Sequence, residues 1–112
     1  MKREMSSSTR VENNTTIVDV VGEIDLGSSP ALRKTLMDVL NTTEHLAINL
    51  SAVRYVDSSG IASLVEVLQA GRKAKKRVVL FGVTPAVMQV LQLTRLTGVF
   101  DIFSTEEQML QS

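Results

Sequence analysis

Tyr55-Val56-Asp57-Ser58-Ser59-Gly60-Ile61 decides the fold. Before it, Leu46-Ala47-Ile48-Asn49-Leu50 reads as a short, buried strand, and residues 51–56 lead from it into the polar turn. After it, Ile61, Leu64, Val65 and Leu68 recur at helical spacing and mark the inner face of an amphipathic helix. Strand, tight turn and helix in that order are the first parts of a crossover unit, and the next strand should lie parallel to the first.

The pattern repeats on both sides. Downstream, the basic stretch 71–76 ends the helix, Arg77-Val78-Val79-Leu80-Phe81 is a strand, and Gly82 stops it. Thr84-Pro85 starts another helix, lined by Val87, Val90, Leu91 and Thr94, with Gly98 as its stop. Residues 99–103 form a last short strand, and Ser104-Thr105-Glu106-Glu107-Gln108 offers two capping boxes for a terminal helix. Upstream, Ser29 caps a helix that begins at Pro30 and carries Leu32, Leu36, Val39 and Leu40 on one face. Before that helix, the β-branched run 15–21 is a strand ended by Gly22, and residues 23–27 are a loop. Residues 5–12 alternate and meet that strand through Asn13-Asn14, a hairpin turn. The order ββαβαβαβα implies an α/β fold with a mixed sheet, mostly parallel, carrying an N-terminal antiparallel hairpin. Periodicity leaves open whether the helices cover one face or both.

Composition bounds the function. The chain has 112 residues, 44% of them hydrophobic and 21% charged, with 12 Lys+Arg against 12 Asp+Glu. That supports one domain over residues 1–112, in which Met1 to about Arg10 is either partly disordered or a weak first strand. A net charge of zero argues against broad binding to nucleic acid. No cysteine is present and His45 is the single histidine, so thiol chemistry and a histidine-rich metal site are excluded. Met1-Lys2-Arg3-Glu4-Met5-Ser6 is polar where a secretory signal needs an apolar stretch, and no apolar run approaches the ~20 residues of a membrane span. A cytoplasmic protein is expected, without direct membrane insertion.

The candidate chemistry lies at the turn. Asp57, Ser58, Ser59 and Gly60 stand where the first N–H groups of a helix lack partners. On the residues alone, an ordinary cap is the commoner explanation. The sharper one is a phosphorylatable switch: a phosphate here adds about −1.5 to −2 charges at one surface point. Helical projection points Ser59 outward and places Ser58 at the cap. A serine nucleophile is disfavoured because Gly-x-Ser-x-Gly is absent and His45 is the only imidazole. Glu23 and Asp25 are candidates for an acidic rim beside Asp57. The basic run Arg72-Lys73-Ala74-Lys75-Lys76-Arg77 reads first as a solvated helix end and second as a phosphate or lipid-headgroup patch.

Five blocks carry a family resemblance. They are Val-Val-Gly-Glu-Ile-Asp-Leu (20–26), Ser-Pro-Ala-Leu-Arg (29–33), Leu-Ser-Ala-Val-Arg-Tyr-Val-Asp-Ser-Ser-Gly-Ile (50–61), Gly-Val-Thr-Pro-Ala-Val (82–87) and Leu-Thr-Gly-Val-Phe (96–100). Together they resemble the STAS domain of sulphate transporters and anti-sigma-factor antagonists, over essentially the whole chain. The resemblance implies helices packed mainly on one face of the sheet. It also implies a phosphorylation-controlled partner-switching protein rather than an enzyme, with no cofactor and no metal. Its partners would be an anti-sigma factor that is also a serine-protein kinase, and a PP2C-type phosphatase. Ser58 is then the phosphoacceptor, with Ser59 as the alternative, while Asp57, Gly60, Asp25 and Glu23 shape the site. The expected docking surface joins Ser59, Ser63 and Glu66, projected to the outer side of the second helix, to Ser28 and the loop 23–28. Another branch of the family supplies cytoplasmic accessory subunits of ABC-type lipid-transport complexes, whose partner would be a permease and its ATPase. Residues 61–66 and the basic helix end suit that branch too. The expected state is a monomer or weak dimer, with Val67 and the terminal helix as exposed apolar contacts.

Overall fold

The computed structural model describes residues 4–112. Met1–Arg3, part of the segment expected to be disordered or weakly extended, lies outside the described residues. Strands β1 (Ser6–Glu12) and β2 (Thr15–Ile24) form the antiparallel hairpin. Asn13 and Asn14 join them at φ of 50° and 63°, a turn that asparagine tolerates and whose twist matches the strands. Helix α1 (Ser29–Leu40), β3 (His45–Val56), α2 (Ser58–Lys73), β4 (Arg77–Phe81), α3 (Pro85–Leu93), β5 (Asp101–Phe103) and α4 (Glu106–Leu110) follow. The strands lie in the order β1-β2-β3-β4-β5, and every pairing after the hairpin is parallel.

Strand periodicity divides the core. Val18, Ile48 and Leu80 point to one face and pack with Leu36 of α1, Leu64 of α2 and Leu91 of α3. Their neighbours Ile17, Ala47 and Val79 point to the other, where Met109 of the short α4 covers them. Three helices therefore lie on one face and one on the opposite face.

Several boundaries differ from expectation. Gly22 does not end β2. It adopts φ 103°, a conformation open to glycine, and the β2–β3 register slips between Asp19 and Val21 and again between Gly22 and Glu23. The strand bends and continues, so Glu23 is a strand residue rather than a loop residue. β3 is twelve residues long, not five. Its second half runs past the end of β4, whose last partner on β3 is Asn49, and pairs only with β2. Ser51, Ala52, Arg54 and Tyr55 are exposed there, which erased the apolar signature of a strand. Gly98 is not the stop of α3. Arg95 supplies the left-handed residue after that helix, at φ 60°. Val67 is fully buried, which removes it as an exposed contact. α2 packs against both the sheet and α1, so its buried stripe widens to include Gly60, Ser63, Val67 and Gly71.

Candidate functional site

β2 and β3 end side by side, with Glu23 opposite Tyr55 and Ile24 opposite Val56. The chain leaves the sheet at both points, which brings residues 25–28 against Asp57. The Asp57 N–H donates to the Ile24 carbonyl at 3.1 Å. Asp57 is extended, as the N-cap of α2 must be, and its Oδ1 accepts from the N–H groups of Ser59 (2.9 Å) and Gly60 (3.1 Å). The same oxygen accepts the Ser59 hydroxyl at 2.5 Å. Its Oδ2 accepts the Leu26 N–H at 3.1 Å. One carboxylate thus fastens the helix start to the neighbouring loop. The Ser59 hydroxyl bond holds its pKa below the ordinary aspartate value, desolvation opposes this, and the N–H groups of Gly60, Ser59 and Leu26 assist. Asp57 is ionised at neutral pH.

The loop is fastened from within as well. Asp25 Oδ1 accepts from the N–H groups of Gly27 and Ser28, both at 3.0 Å, a side-chain-closed turn. Ser28 Oγ accepts the Asp25 N–H at 2.9 Å and donates to the Glu23 carbonyl at 3.2 Å. Ser28, not Ser29, is the N-cap residue of α1, and its hydroxyl makes no cap bond because it serves the loop instead. Glu23, Asp25 and Ser28 line one shallow depression. Leu26 is held at the tip of the loop with 76% of its surface exposed.

Ser58 opens α2 and is exposed, and its hydroxyl takes no part in this set of bonds. Ser59 differs sharply. It is half-buried, donates to Asp57, and accepts the hydroxyl of buried Ser29 at 3.1 Å. Ser63, expected on the outer surface, is 6% exposed and donates to the carbonyls of Ser59 (3.1 Å) and Ser29 (3.4 Å). Glu66 is exposed but ion-paired with Arg33 of α1. Ser59, Ser63 and Glu66 therefore form the line along which α2 meets α1, not a free docking stripe. Projection against the sheet-facing residues alone omitted the second neighbour. The signal for it lies in Ser29, Ser59 and Ser63, small residues that let the two helix backbones approach, while Gly60 admits the ends of β2 and β3. At Gly60 an added Cβ would stand 2.6 Å from Cγ2 of Ile24 and 2.6 Å from Cγ2 of Val56. Leu26 falls inside the expected docking loop 23–28 without being singled out there, and Ser29 enters the sequence reading as a helix cap, not as a site residue.

The basic run sits at the far end of α2, whose 16 residues span about 24 Å. Among the described residues no helix is long and apolar enough to cross a membrane.

A family model of the STAS domain matches residues 6–109. The anti-sigma-B factor antagonist of Listeria monocytogenes is 30% identical over 102 residues, which cover 88% of this chain and 89% of the relative. The crystal structure of an anti-sigma factor antagonist from Mycobacterium paratuberculosis is similar with a TM-score of 0.81 at 25% identity, covering 96% of this chain and 92% of that one. The Bacillus cell fate determinant SpoIIAA, solved in its phosphorylated form, shares the fold with a TM-score of 0.73 at 19% identity, covering 95% and 97% of the two chains.

Proposed function

The chain belongs to the STAS domain family, and from that premise we propose that it is an anti-sigma factor antagonist whose grip on its partner is controlled by phosphorylation of Ser58. The observation that carries this reading is the contrast between two adjacent hydroxyls. The Ser58 hydroxyl is exposed at the mouth of α2, while that of Ser59 is bound between Asp57 and Ser29. A kinase active site must surround the acceptor oxygen, and Ser58 allows this without loosening the helix start.

The fate of the added charge follows from the cap. The N–H groups of Ser59 and Gly60 are already taken by Asp57, and that of Ile61 donates to the Asp57 carbonyl. A phosphate on Ser58 finds few free donors within its own helix and stands beside an ionised carboxylate. Its charge of about −1.5 to −2 therefore remains on the surface, where a docked partner meets it. The unmodified surface, with Ser58, Leu26 and the rim of Glu23, Asp25 and Ser28, binds the partner, and the phosphorylated one repels it. The partner is an anti-sigma factor with serine-kinase activity, a PP2C-type phosphatase resets the switch, and the exchange takes place in the cytoplasm. Asp57 and Gly60 fix the geometry, and Ser59, Ser63 and Glu66 support it from the α1 side.

The test is phosphorylation by a cognate anti-sigma factor with serine-kinase activity, followed by intact mass and binding measurements. Wild type and Ser59→Ala gain one phosphoryl group, Ser58→Ala gains none, and Ser58→Asp binds the kinase at least about tenfold more weakly. Phosphate on Ser59 in the Ser58→Ala variant, or unchanged binding of Ser58→Asp, would refute the assignment. Recovery of a permease and ATPase with no kinase in a native pull-down would replace it with the transporter-subunit reading.

A further inference from the structure

Cations are unevenly distributed over the molecule. Arg10, Arg33 and Lys34 are ion-paired. Among the described residues Arg54, Arg72, Lys73, Lys75, Lys76, Arg77 and Arg95 have no Asp or Glu side chain within ion-pair distance. All of these except Arg54 gather at the end of the molecule opposite Ser58, on the last turn of α2, the α2–β4 turn and the residues that end α3. Two bind neutral acceptors that leave their charge uncancelled: Arg72 donates to the Val99 carbonyl at 2.9 Å and Lys76 to the Leu40 carbonyl at 2.6 Å, whereas Arg77 donates to the hydroxyl of Ser112 at 2.6 Å and to its terminal main-chain oxygen at 3.5 Å. The Arg72 bond also places the segment after α3 beside the end of α2, so Arg95 joins the cluster. Asp101, which lines a cleft with Arg72, Lys76 and Arg77, and Glu44, whose carbonyl accepts the Arg77 N–H, are acidic residues at this end, together with Asp38 in the last turn of α1 and Glu12 beside the β1–β2 turn, which pair with Lys34 and Arg10. Leu93, at the end of α3 and two residues before Arg95, is 77% exposed.

We propose that this end docks the chain on an anionic lipid surface, with the cations against the headgroups and Leu93 reaching the level of the acyl boundary. A protein partner of comparable strength would need a packed apolar centre. This end offers dispersed charge from three segments and a single projecting leucine. A plane of anionic headgroups needs no more than that. Docked this way, α2 stands away from the surface and presents Ser58 about 24 Å from it. The inference does not depend on the switch at Ser58, and its test requires no kinase or anti-sigma factor.

The experiment is co-sedimentation of the full chain with phosphatidylcholine vesicles, either pure or containing about one third phosphatidylglycerol. Binding is expected to the anionic vesicles and not to the neutral ones, and should fall as salt rises from about 0.05 to about 0.5 M. The double variant Lys73→Glu/Lys75→Glu, whose side chains are exposed, should lose roughly 30-fold in partitioning with an unchanged melting temperature. Leu93→Ser should lose several-fold, and Ser58→Asp nothing. Equal sedimentation with neutral vesicles, full binding by the double glutamate variant, or loss of binding in Ser58→Asp would overturn the proposal. Unimpaired binding by Leu93→Ser together with full displacement by heparin would also overturn it, reducing the patch to a general polyanion surface.

Discussion

Replacing Asp57 by alanine removes the acceptor for the Ser59 and Gly60 N–H groups, the Ser59 hydroxyl and the Leu26 N–H. Loss of an N-cap side chain costs about 1 kcal/mol, within a range of roughly 0.5–2. The Leu26 N–H is exposed and regains water, so it adds little. Ser59 keeps the Ser29 hydroxyl as a partner, so its own hydroxyl is not orphaned. The expected destabilisation is about 1–2 kcal/mol, a fall of roughly 4–8 °C in melting temperature for a domain of this size. Asp57→Asn separates geometry from charge. It keeps an oxygen for the helix N–H groups and forfeits the interaction of a full negative charge with the helix dipole, about 0.3–1 kcal/mol. Urea unfolding of the three proteins should therefore order them wild type, then Asn, then Ala. If the alanine variant lay within about 0.3 kcal/mol of wild type, the cap would not hold the helix start. If asparagine were as costly as alanine, charge alone would be responsible.

Acid supplies an independent check. The folded-state pKa of Asp57 lies below the ordinary value of 3.8, so the folded protein binds its proton less readily than the unfolded chain. The stability this confers is complete above the ordinary value and is lost as pH falls through the depressed one. The gap between wild type and Asp57→Ala should stay constant from pH 7 to about 5 and narrow only below about 4. A gap that widened on acidification would have the wrong sign and would refute the account.

Gly60→Ala should cost about 1–2 kcal/mol in urea unfolding, because its Cβ would press on Cγ2 of Ile24 and of Val56, two stiff β-branched side chains. Alanine's better helix propensity recovers only part of that cost, and a neutral or stabilising result would show that the sheet ends yield to the helix. Arg10 donates from Nε to Asp19 at 2.7 Å and from Nη1 to Glu106 at 3.0 Å, which ties α4 to the hairpin. Arg10→Ala should cost about 1 kcal/mol and raise amide hydrogen exchange selectively in residues 106–110. Uniform acceleration across the sheet would refute that local role.

Residues whose surroundings follow from their own neighbours were legible in the sequence. The apolar strand run of residues 77–81, the Asn13-Asn14 turn and the proline-marked starts of α1 and α3 all rest on local chemistry. What was missed depends on segments distant in the chain. The far half of β3 is a strand because β2 pairs with it, although Ser51, Ala52, Arg54 and Tyr55 look like a loop. Gly22 continues a strand instead of ending one because the β2–β3 register shift absorbs its positive φ. At the site, helical projection places Ser58 at the cap, whereas Asp57 holds that position and Ser58 is the first helical residue, a shift of one residue within a turn whose chemistry is local. Ser59 and Ser63 were turned the wrong way because their orientation is decided by α1, thirty residues upstream.

That misplacement bears on how the switch would work. Had Ser59 and Ser63 faced solvent, either of two neighbouring hydroxyls could accept a phosphate, and the modification would be poorly focused. With α1 against them, the chain of hydroxyls from Ser29 through Ser59 to Asp57 becomes part of the scaffold. The small residues at 59, 60 and 63 let α2 seat tightly against α1 and the ends of β2 and β3, which fixes the helix mouth before any partner arrives. Ser58 is the first residue beyond that constraint. Leu26, roped to the same carboxylate through its backbone, stays beside it whatever its side chain does. The discriminating surface is thereby reduced to one hydroxyl and one apolar side chain on a rigid base. A change of about two charges at the hydroxyl then needs no movement of the fold to decide which partner remains bound.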